Sequence, residues 1–210
     1  MKLAMIMGSP KRRGSMSAHL IKEMTKATRK AGEVLVFNAA KPERFDEVLS
    51  CDRLVFVFPL YFDSLPSHVV SYLEQLAAYI KEHPPEKTPS VYAVCNLGFY
   101  EGYQTKWALG RIQCWAEAVS LPWKTGLGIG AGPFTAHLPP EARKKTDNGK
   151  EKFLELLFSD TAGDNIYTEP DIPKEMFVEI ANANWIPQLE ANHLTVDDVM
   201  HPKLRHENGK

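Results

Sequence analysis

Short apolar runs without polar alternation recur along the first two thirds of the chain, and segments with helical spacing separate them. Four runs cover residues 3–7, 34–37, 54–58 and 91–95. Because no polar side chain interrupts them, these runs are typical of strands covered on both faces, as in a parallel sheet. A fifth run, residues 123–129, contains Gly126 and Gly128, which favour a bulge or a close backbone approach. The pattern predicts a layered α/β domain.

Apolar residues at helical spacing fill the segments between these runs. Met16, Leu20 and Met24 share one face of a helix that should end near Gly32. Similar stripes follow Pro66 and cover residues 108–119, and residues 43–50 are long enough for a short helix. Strands that alternate with helices predict parallel strands joined by right-handed crossovers.

The length of 210 residues and the hydrophobic content of 44% suit one α/β domain over residues 1–210. We expect a core at residues 1–132 and a helical extension at residues 133–210. Two helices are expected in the extension, around Glu151 and Phe177, with a loop between residues 159 and 173.

The balance of 25 basic and 26 acidic residues gives no global attraction to nucleic acid or to anionic lipid. We therefore expect neither as a partner.

Cys51, Cys95 and Cys114 are odd in number and far apart, which favours a reducing compartment. The first apolar run is too short for a signal peptide or a membrane span, so a cytoplasmic protein is expected.

The seven histidines show no metal-ligand spacing and are expected on the solvated surface, with no metal site.

A loop with glycine, hydroxyl and basic residues joins the first strand to the first helix. The hydroxyls of Ser9, Ser15 and Ser17 can donate to phosphate oxygens, and a helix start adds unpaired amides and partial positive charge. Gly8 and Gly14 allow the backbone to turn tightly. The loop predicts a site for a terminal phosphate. In the alternative interpretation, Ser15 or Ser17 only caps the helix, and three adjacent cations form a solvated turn. These cations, Lys11, Arg12 and Arg13, could also contact a nicotinamide 2′-phosphate.

Two other phosphate motifs do not fit the sequence. The Walker motif needs four residues between its glycines and then a lysine, whereas five residues separate Gly8 from Gly14, and Ser15 follows. The dinucleotide fingerprint matches Gly126, Gly128 and Ala131 only nominally, because Gly-Pro-Phe follows without a clear helix. Neither ATP hydrolysis nor a Rossmann-type site is predicted.

The loops after the third and fourth strands are rich in aromatic residues. Residues 59–66 read Pro-Leu-Tyr-Phe-Asp-Ser-Leu-Pro, and residues 96–102 read Asn-Leu-Gly-Phe-Tyr-Glu-Gly. A flat ring system needs apolar contacts on its faces and backbone donors at its polar edge, and both loops offer both kinds of group. Ligands of doubly wound sheets bind outside the carboxyl ends of strands, where these loops should meet.

On these two motifs, the phosphate loop and the loop from Pro59 to Pro66, the sequence resembles the NAD(P)H-dependent FMN reductases of the flavodoxin-like superfamily over about residues 1–130. The resemblance implies a three-layer sandwich whose five parallel strands have the order 2-1-3-4-5, followed by the helical extension. It also implies that FMN is the cofactor and that NADPH or NADH is the reductant. The implied cofactor-binding residues are Ser9, Lys11, Ser15, Met16, Ser17, Pro59, Leu60, Tyr61, Phe62, Asn96, Leu97, Gly98 and Phe99.

Two positions depart from this family. Met16 stands where members often carry asparagine and Lys11 where arginine is frequent, so weaker phosphate binding is expected. No catalytic side chain is assigned, because the flavin itself performs the redox step.

The resulting hypothesis is an FMN-dependent oxidoreductase that passes electrons from NAD(P)H to a small acceptor such as a quinone or a free flavin, in a homodimer or a higher homo-oligomer. A non-enzymatic electron carrier or FMN-binding protein is the alternative, and an FMN-free scaffold is a third possibility. The near-neutral charge and the long extension favour the enzyme, because short flavodoxins are strongly acidic.

Overall fold

The computed structural model describes residues 1–11 and 14–202. Arg12 and Arg13, two of the three cations that could contact a 2′-phosphate, lie outside the described residues. The chain forms two compact units, Met1–Asp171 and Ile172–Lys210.

The first unit contains one parallel sheet with the strand order β2-β1-β3-β4-β5-β6. Its strands are β1 (Lys2–Met7), β2 (Glu33–Asn38), β3 (Arg53–Pro59), β4 (Ser90–Asn96), β5 (Trp123–Ile129) and β6 (Ile166–Thr168). The predicted order 2-1-3-4-5 is confirmed. The strand count of five was wrong, because a sixth strand pairs with β5 inside the segment that was expected to be a loop.

Helices cover both faces of this sheet. They are α1 (Met16–Thr28), α2 (Phe45–Leu49), α3 (Ser67–Glu82), α4 (Lys106–Ala118), α5 (Gly132–Thr135) and α6 (Lys144–Ser159), with 3-10 turns at Gly102–Thr105 and Pro140–Arg143. One apolar cluster packs α2, α3 and α4 against one side of the sheet. A second cluster packs α1 and α6 against the other side. Successive strand side chains alternate between the clusters, as Leu54 and Val55 do, so the sheet forms the middle of three layers.

Strands β3 and β4 are buried along almost their whole length, as their apolar runs predicted. Strand β2 differs, because it forms one edge of the sheet and its Val36 is exposed. Coverage on both faces was therefore a wrong expectation for β2: an apolar run does not distinguish an edge strand from a central one.

The second unit contains two helices, α7 (Lys174–Ala191) and α8 (Val196–Met200). Thr195 caps α8: its hydroxyl accepts from the amide of Asp198, whose carboxylate accepts in return from the amide of Thr195 at 2.8 Å. Among the described residues, no helix is long and apolar enough to cross a membrane.

Candidate functional site

The loops at the carboxyl edge of the sheet meet around Asn96, the last residue of β4. The side-chain amide of Asn96 donates to Ser17 Oγ and to the carbonyl of Phe58, each at 3.1 Å. The Asn96 carbonyl accepts from the amide of Leu60 at 2.8 Å. Asn96 thus joins the first turn of α1 and the end of β3 to the start of the third loop. The edge lies at the switch of strand order between β1 and β3, where doubly wound sheets bind ligands.

The first loop ends in a capped helix start. Ser15 Oγ accepts from the amide of Ala18 at 3.2 Å, which makes Ser15 the N-cap of α1. Ser9 and Ser17 are buried, whereas Lys11 is exposed and Met16 is half-buried. The predicted phosphate-loop residues therefore differ in their access to solvent. Ser17 holds the fourth loop through Asn96, and Ser15 remains at the accessible helix start.

Glycine is required at both ends of this loop. A Cβ on Gly8 would lie 2.7 Å from Phe58 Cβ and 2.8 Å from Val69 Cγ2, so a larger residue would push the loop off the sheet. Gly14 has a φ of +66°, in the left-handed region that favours glycine. The two glycines hold the turn close to β3 and aim the backbone into α1.

His68 is a site residue that the sequence analysis missed. It lies in the first turn of α3, half-buried, and its Nε2 is 3.0 Å from the carbonyl oxygen of Gly8. The imidazole therefore joins the start of α3 to the first loop, contrary to the expectation that the histidines lie on the solvated surface. Its position two residues after Pro66, next to the aromatic loop, was the available signal.

The third loop forms a two-residue hairpin turn. Tyr61 and Ser64 exchange two backbone hydrogen bonds of 3.0 Å, and Phe62 and Asp63 between them have φ values of 49° and 54°. Positive φ at both central residues is the type I′ geometry, which normally selects Asn-Gly. Phe62 is fully exposed, with a relative accessibility of 104%. The turn therefore holds a large aromatic side chain in solvent on a strained backbone.

The third and fourth loops surround one cleft of about 400 Å³. Its walls are Leu60, Tyr61, Phe62, Asp63, Leu97, Gly98 and Phe99, which include six of the predicted ring-binding residues. Pro59 ends β3, and the buried Asn96 lies among the loop backbones rather than in the wall. The volume falls within the ~300–1,000 Å³ that is usual for ligand pockets.

A second, separate space of about 270 Å³ lies beside the start of α1. It is lined by Gly14, Ser15, Met16, His19, Pro133, Ala136 and His137. Pro133 belongs to α5, the short helix that follows Gly128 and that the sequence analysis did not expect. The hydrogen bond from Asn96 to Ser17 joins the start of α1, beside this space, to the end of β4, which leads into the cleft wall.

The thiol nearest to this edge stays protonated. Cys95 directly precedes Asn96 in β4 and is fully buried, and this burial raises the pKa of its thiol well above the usual range. A thiolate nucleophile at Cys95 is therefore disfavoured. Among the described residues, no group of three or more His, Cys, Asp or Glu side chains could hold a metal ion.

No protein-family model matches the chain, and no curated protein matches its sequence significantly. Solved structures do match. A NADPH-quinone reductase from P. pentosaceus is similar over 78% of this chain and 99% of its own, with a TM-score of 0.54 and 14% identity. A NAD(P)H:quinone oxidoreductase from Methanothermobacter marburgensis is similar over 74% of this chain and 94% of its own, with a TM-score of 0.51 and 12% identity. The Trp repressor binding protein from Bacillus subtilis is similar over 60% and 81%, with a TM-score of 0.50 and 13% identity.

These similarities and the strand order define the fold of the chain. It is a flavodoxin-like three-layer α/β sandwich with one additional parallel strand at the β5 edge.

Proposed function

We propose that the chain binds FMN at the carboxyl edge of the sheet and passes electrons from NAD(P)H to a small acceptor such as a quinone or a free flavin. The observation that carries this proposal is the meeting of the capped start of α1 with a cleft between two aromatic loops, joined through Asn96. Two of the similar structures are described as a NADPH-quinone reductase and a NAD(P)H:quinone oxidoreductase, which supports the same class of reaction.

The phosphate end of FMN fits the start of α1. The first amides of a helix are unpaired and carry partial positive charge, so they favour a dianion. Ser15 lies at this position with its hydroxyl half-accessible, and the exposed ammonium of Lys11 lies in the same loop. Ser17 and Asn96 hold the adjacent loops in register rather than contacting solvent.

The ring end of FMN fits the cleft of about 400 Å³ between the third and fourth loops. Tyr61, Phe62 and Phe99 offer apolar faces to a flat ring, and an exposed aromatic cluster of this kind is typical of a binding site. Gly98 is open to solvent, and no atom lies within 4 Å of the position its Cβ would take. A ring edge can therefore approach the backbone there without a steric clash.

When it is bound, FMN supplies the hydride and electron chemistry of the reaction. The chain holds the flavin phosphate at Ser15, encloses one side of the ring with Phe62 and Phe99, and keeps the cleft open for a reductant or an acceptor. We propose no catalytic side chain.

The proposal is tested by adding FMN to the purified chain and following anaerobic bleaching of the flavin with NADH and with NADPH. We expect bleaching by at least one nicotinamide and recovery of colour when a quinone is added. Bound FMN that neither nicotinamide reduces would leave the electron carrier as the function. A chain that does not retain FMN would favour the FMN-free scaffold.

The aromatic wall gives a sharper test with a matched control. We expect Phe99→Ala to weaken FMN binding about fivefold, because an aromatic contact contributes ~0.5–1.5 kcal/mol beyond burial. Phe158 is also exposed but lies in α6, so Phe158→Ala serves as the control and should leave the dissociation constant unchanged. Equal effects of the two variants on FMN fluorescence quenching would argue against this cleft.

A further inference from the structure

A groove of about 290 Å³ lies between α1 and α6, on the side of the sheet opposite to α3 and α4. It is called here the α1–α6 groove, and it is lined by residues within 20–27 of α1, residues within 147–154 of α6, and Val94 and Leu127 of the sheet. All of these residues belong to the first unit, and none of them lines the cleft between the third and fourth loops. The groove is therefore a separate space of the first unit.

The wall on α1 is one helical stripe. Leu20, Glu23, Met24 and Ala27 line the groove at positions i, i+3, i+4 and i+7, which share one face of a helix. Leu20 and Met24 are buried, whereas Glu23 and Ala27 are exposed. This wall therefore changes from buried apolar side chains near the sheet to an acidic residue at the rim.

The wall on α6 has the same spacing. Asp147, Lys150, Glu151 and Leu154 line the groove, again at positions i, i+3, i+4 and i+7. Leu154 is half-buried and Glu151 is exposed. The two helices thus turn matching faces to the groove, each about two turns long.

The floor of the groove is apolar and belongs to the core. Val94 of β4 and Leu127 of β5 are partners in the sheet, and Phe153 of α6 lies beside them. These three residues are at most 2% exposed. Protein interiors leave few voids larger than a water molecule, so a space of this size above core side chains has the form of a ligand pocket. A cavity of ~150 Å³ can hold benzene, and the groove therefore has room for a body of about two rings.

One ammonium group joins the two walls. Lys150 Nζ lies 3.3 Å from Glu23 Oε2 across the groove and 3.1 Å from Asp147 Oδ1 on its own helix. Glu23, Asp147 and Glu151 are acidic and Lys150 is basic, so the charges that line the groove sum to a negative value.

Glu151 is the carboxylate of the rim that is available to a ligand. Glu23 also lies 3.4 Å from His19, and Asp147 also lies 3.0 Å from Arg143. Glu151, by contrast, forms no ion pair with any residue that the structure describes. The groove thus combines an apolar floor with one unpaired carboxylate at its rim.

We propose that the α1–α6 groove binds a small organic ammonium ion with an apolar ring body. The ring packs on Val94, Leu127 and Phe153, and the ammonium group lies at the rim beside Glu151. Burial of the ring supplies affinity, and the rim selects the sign of the charge, because an anion of the same shape would meet three carboxylates and one ammonium. The site shares no residue with the proposed ring site of FMN and does not depend on it.

The first experiment titrates the full chain with tryptamine, which has two fused rings and one ammonium group, and follows the methyl groups by NMR. We expect saturable shifts at Met24, Val94 and Leu127. Tryptophol, which carries a hydroxyl in place of the ammonium, should bind about threefold more weakly, the scale of one exposed ion pair. Indole-3-acetate, the anion, should bind more weakly still.

Three results of this titration would overturn the proposal. The first is the absence of saturable shifts at the methyl groups of the groove. The second is a set of shifts confined to Leu60 and Leu97, which would place tryptamine in the aromatic cleft. The third is binding of tryptophol or indole-3-acetate that equals or exceeds that of tryptamine.

Glu151→Gln tests the charge of the rim. We expect it to weaken tryptamine binding about threefold and to leave tryptophol binding unchanged, because only tryptamine carries the charge. Glu155→Gln is the matched control, since it removes an exposed carboxylate one turn further along α6 that does not line the groove. Equal effects of the two variants on tryptamine binding would argue against the proposed site.

Ala27→Trp tests the space itself. Long side chains of a helix lean towards the preceding turn, so an indole at position 27 would lie over Glu23 and Met24 and fill the groove. We expect the loss of tryptamine binding. Ala118→Trp, at an exposed alanine of α4 on the other side of the sheet, is the control and should bind tryptamine normally. Unchanged binding by Ala27→Trp, or an equal loss in the control, would contradict the assignment of the groove.

Discussion

At the scale of single residues, the strained turn of the third loop links stability to binding. Phe62 has a φ of 49° and no buried surface, so its ring stabilises nothing within the described residues while its backbone is unfavourable. We expect Phe62→Asn to raise the free energy of unfolding by about 0.5–1 kcal/mol, because asparagine tolerates the left-handed region. The same change should weaken FMN binding, since it removes the phenyl ring that lines the cleft.

Phe62→Leu separates these two effects. Leucine removes the ring but keeps the backbone penalty, so we expect weaker FMN binding without the gain in stability. Urea unfolding and FMN titration of both variants measure the two quantities. If asparagine and leucine gave the same free energy of unfolding, the backbone strain assigned to Phe62 would be wrong.

Ser17 gives the second test at this scale. Its hydroxyl is buried and accepts from Asn96 at 3.1 Å, so Ser17→Ala leaves one proton of that buried amide without its acceptor. We expect the FMN-free protein to lose about 1 kcal/mol of unfolding free energy and FMN retention to fall by a similar amount. Ser15→Ala, at the accessible helix start, is the comparison. Loss of FMN retention by Ser17→Ala without loss of stability would mean that Ser17 contacts the phosphate directly.

The sequence predicted which loops form the site but not how their side chains are placed. The aromatic composition of residues 59–66 and 96–102 marked the cleft, because few other roles explain exposed rings at strand ends. The burial of Ser17 and the contact of His68 with Gly8 depend on how β1, β3 and β4 are aligned. The spacing of residues along the sequence does not show how these strands are aligned.

At the scale of elements, Asp160 anchors the end of α6 to three strands. It accepts from the hydroxyl of Tyr92 at 2.8 Å and lies 3.6 Å from both Arg53 Nε and Lys124 Nζ. Partial burial acts to raise the pKa of this carboxyl, but hydrogen bonds from Tyr92 and Ser90 and the charges of Lys124 and Arg53 outweigh it, so the pKa is lowered. The folded state therefore favours the carboxylate.

This lowered pKa makes the contribution of Asp160 depend on pH. A carboxyl whose pKa is lower in the folded state contributes its full stabilisation above its unfolded pKa of ~4 and loses it as the pH falls through the folded value. We expect Asp160→Asn to destabilise the protein at pH 7 and to have a smaller effect below about pH 4. Urea unfolding at several pH values measures this difference. Asp197→Asn, which removes an exposed carboxylate of α8, is the control. A constant difference across this range would contradict the role of Asp160.

The elements themselves were largely predictable. Apolar runs identified β1 to β5, and stripes such as Val69, Leu73 and Leu76 identified the long helices that pack on the sheet. Strand β6 was missed because it has only three residues and no apolar run. It forms where Thr168 pairs with Ile129, a contact that depends on how the segment returns to the sheet.

At the scale of the whole molecule, the first of the two compact units contains the sheet and both of its apolar clusters. Both buried clusters are formed by residues of the first unit, Met1–Asp171. This unit therefore has an apolar core of its own on each face of the sheet.

The location of both clusters in the first unit predicts the behaviour of a chain cut after Asp171, the boundary between the two compact units. The fragment keeps all six strands and both clusters, so we expect it to unfold cooperatively. Its Tm at low concentration should lie within about 4 °C of that of the full chain, the shift that ~1 kcal/mol produces in a domain of this size. Circular dichroism during heating measures the transition. A fragment without a cooperative transition would show that residues after Asp171 are needed to fold the sheet.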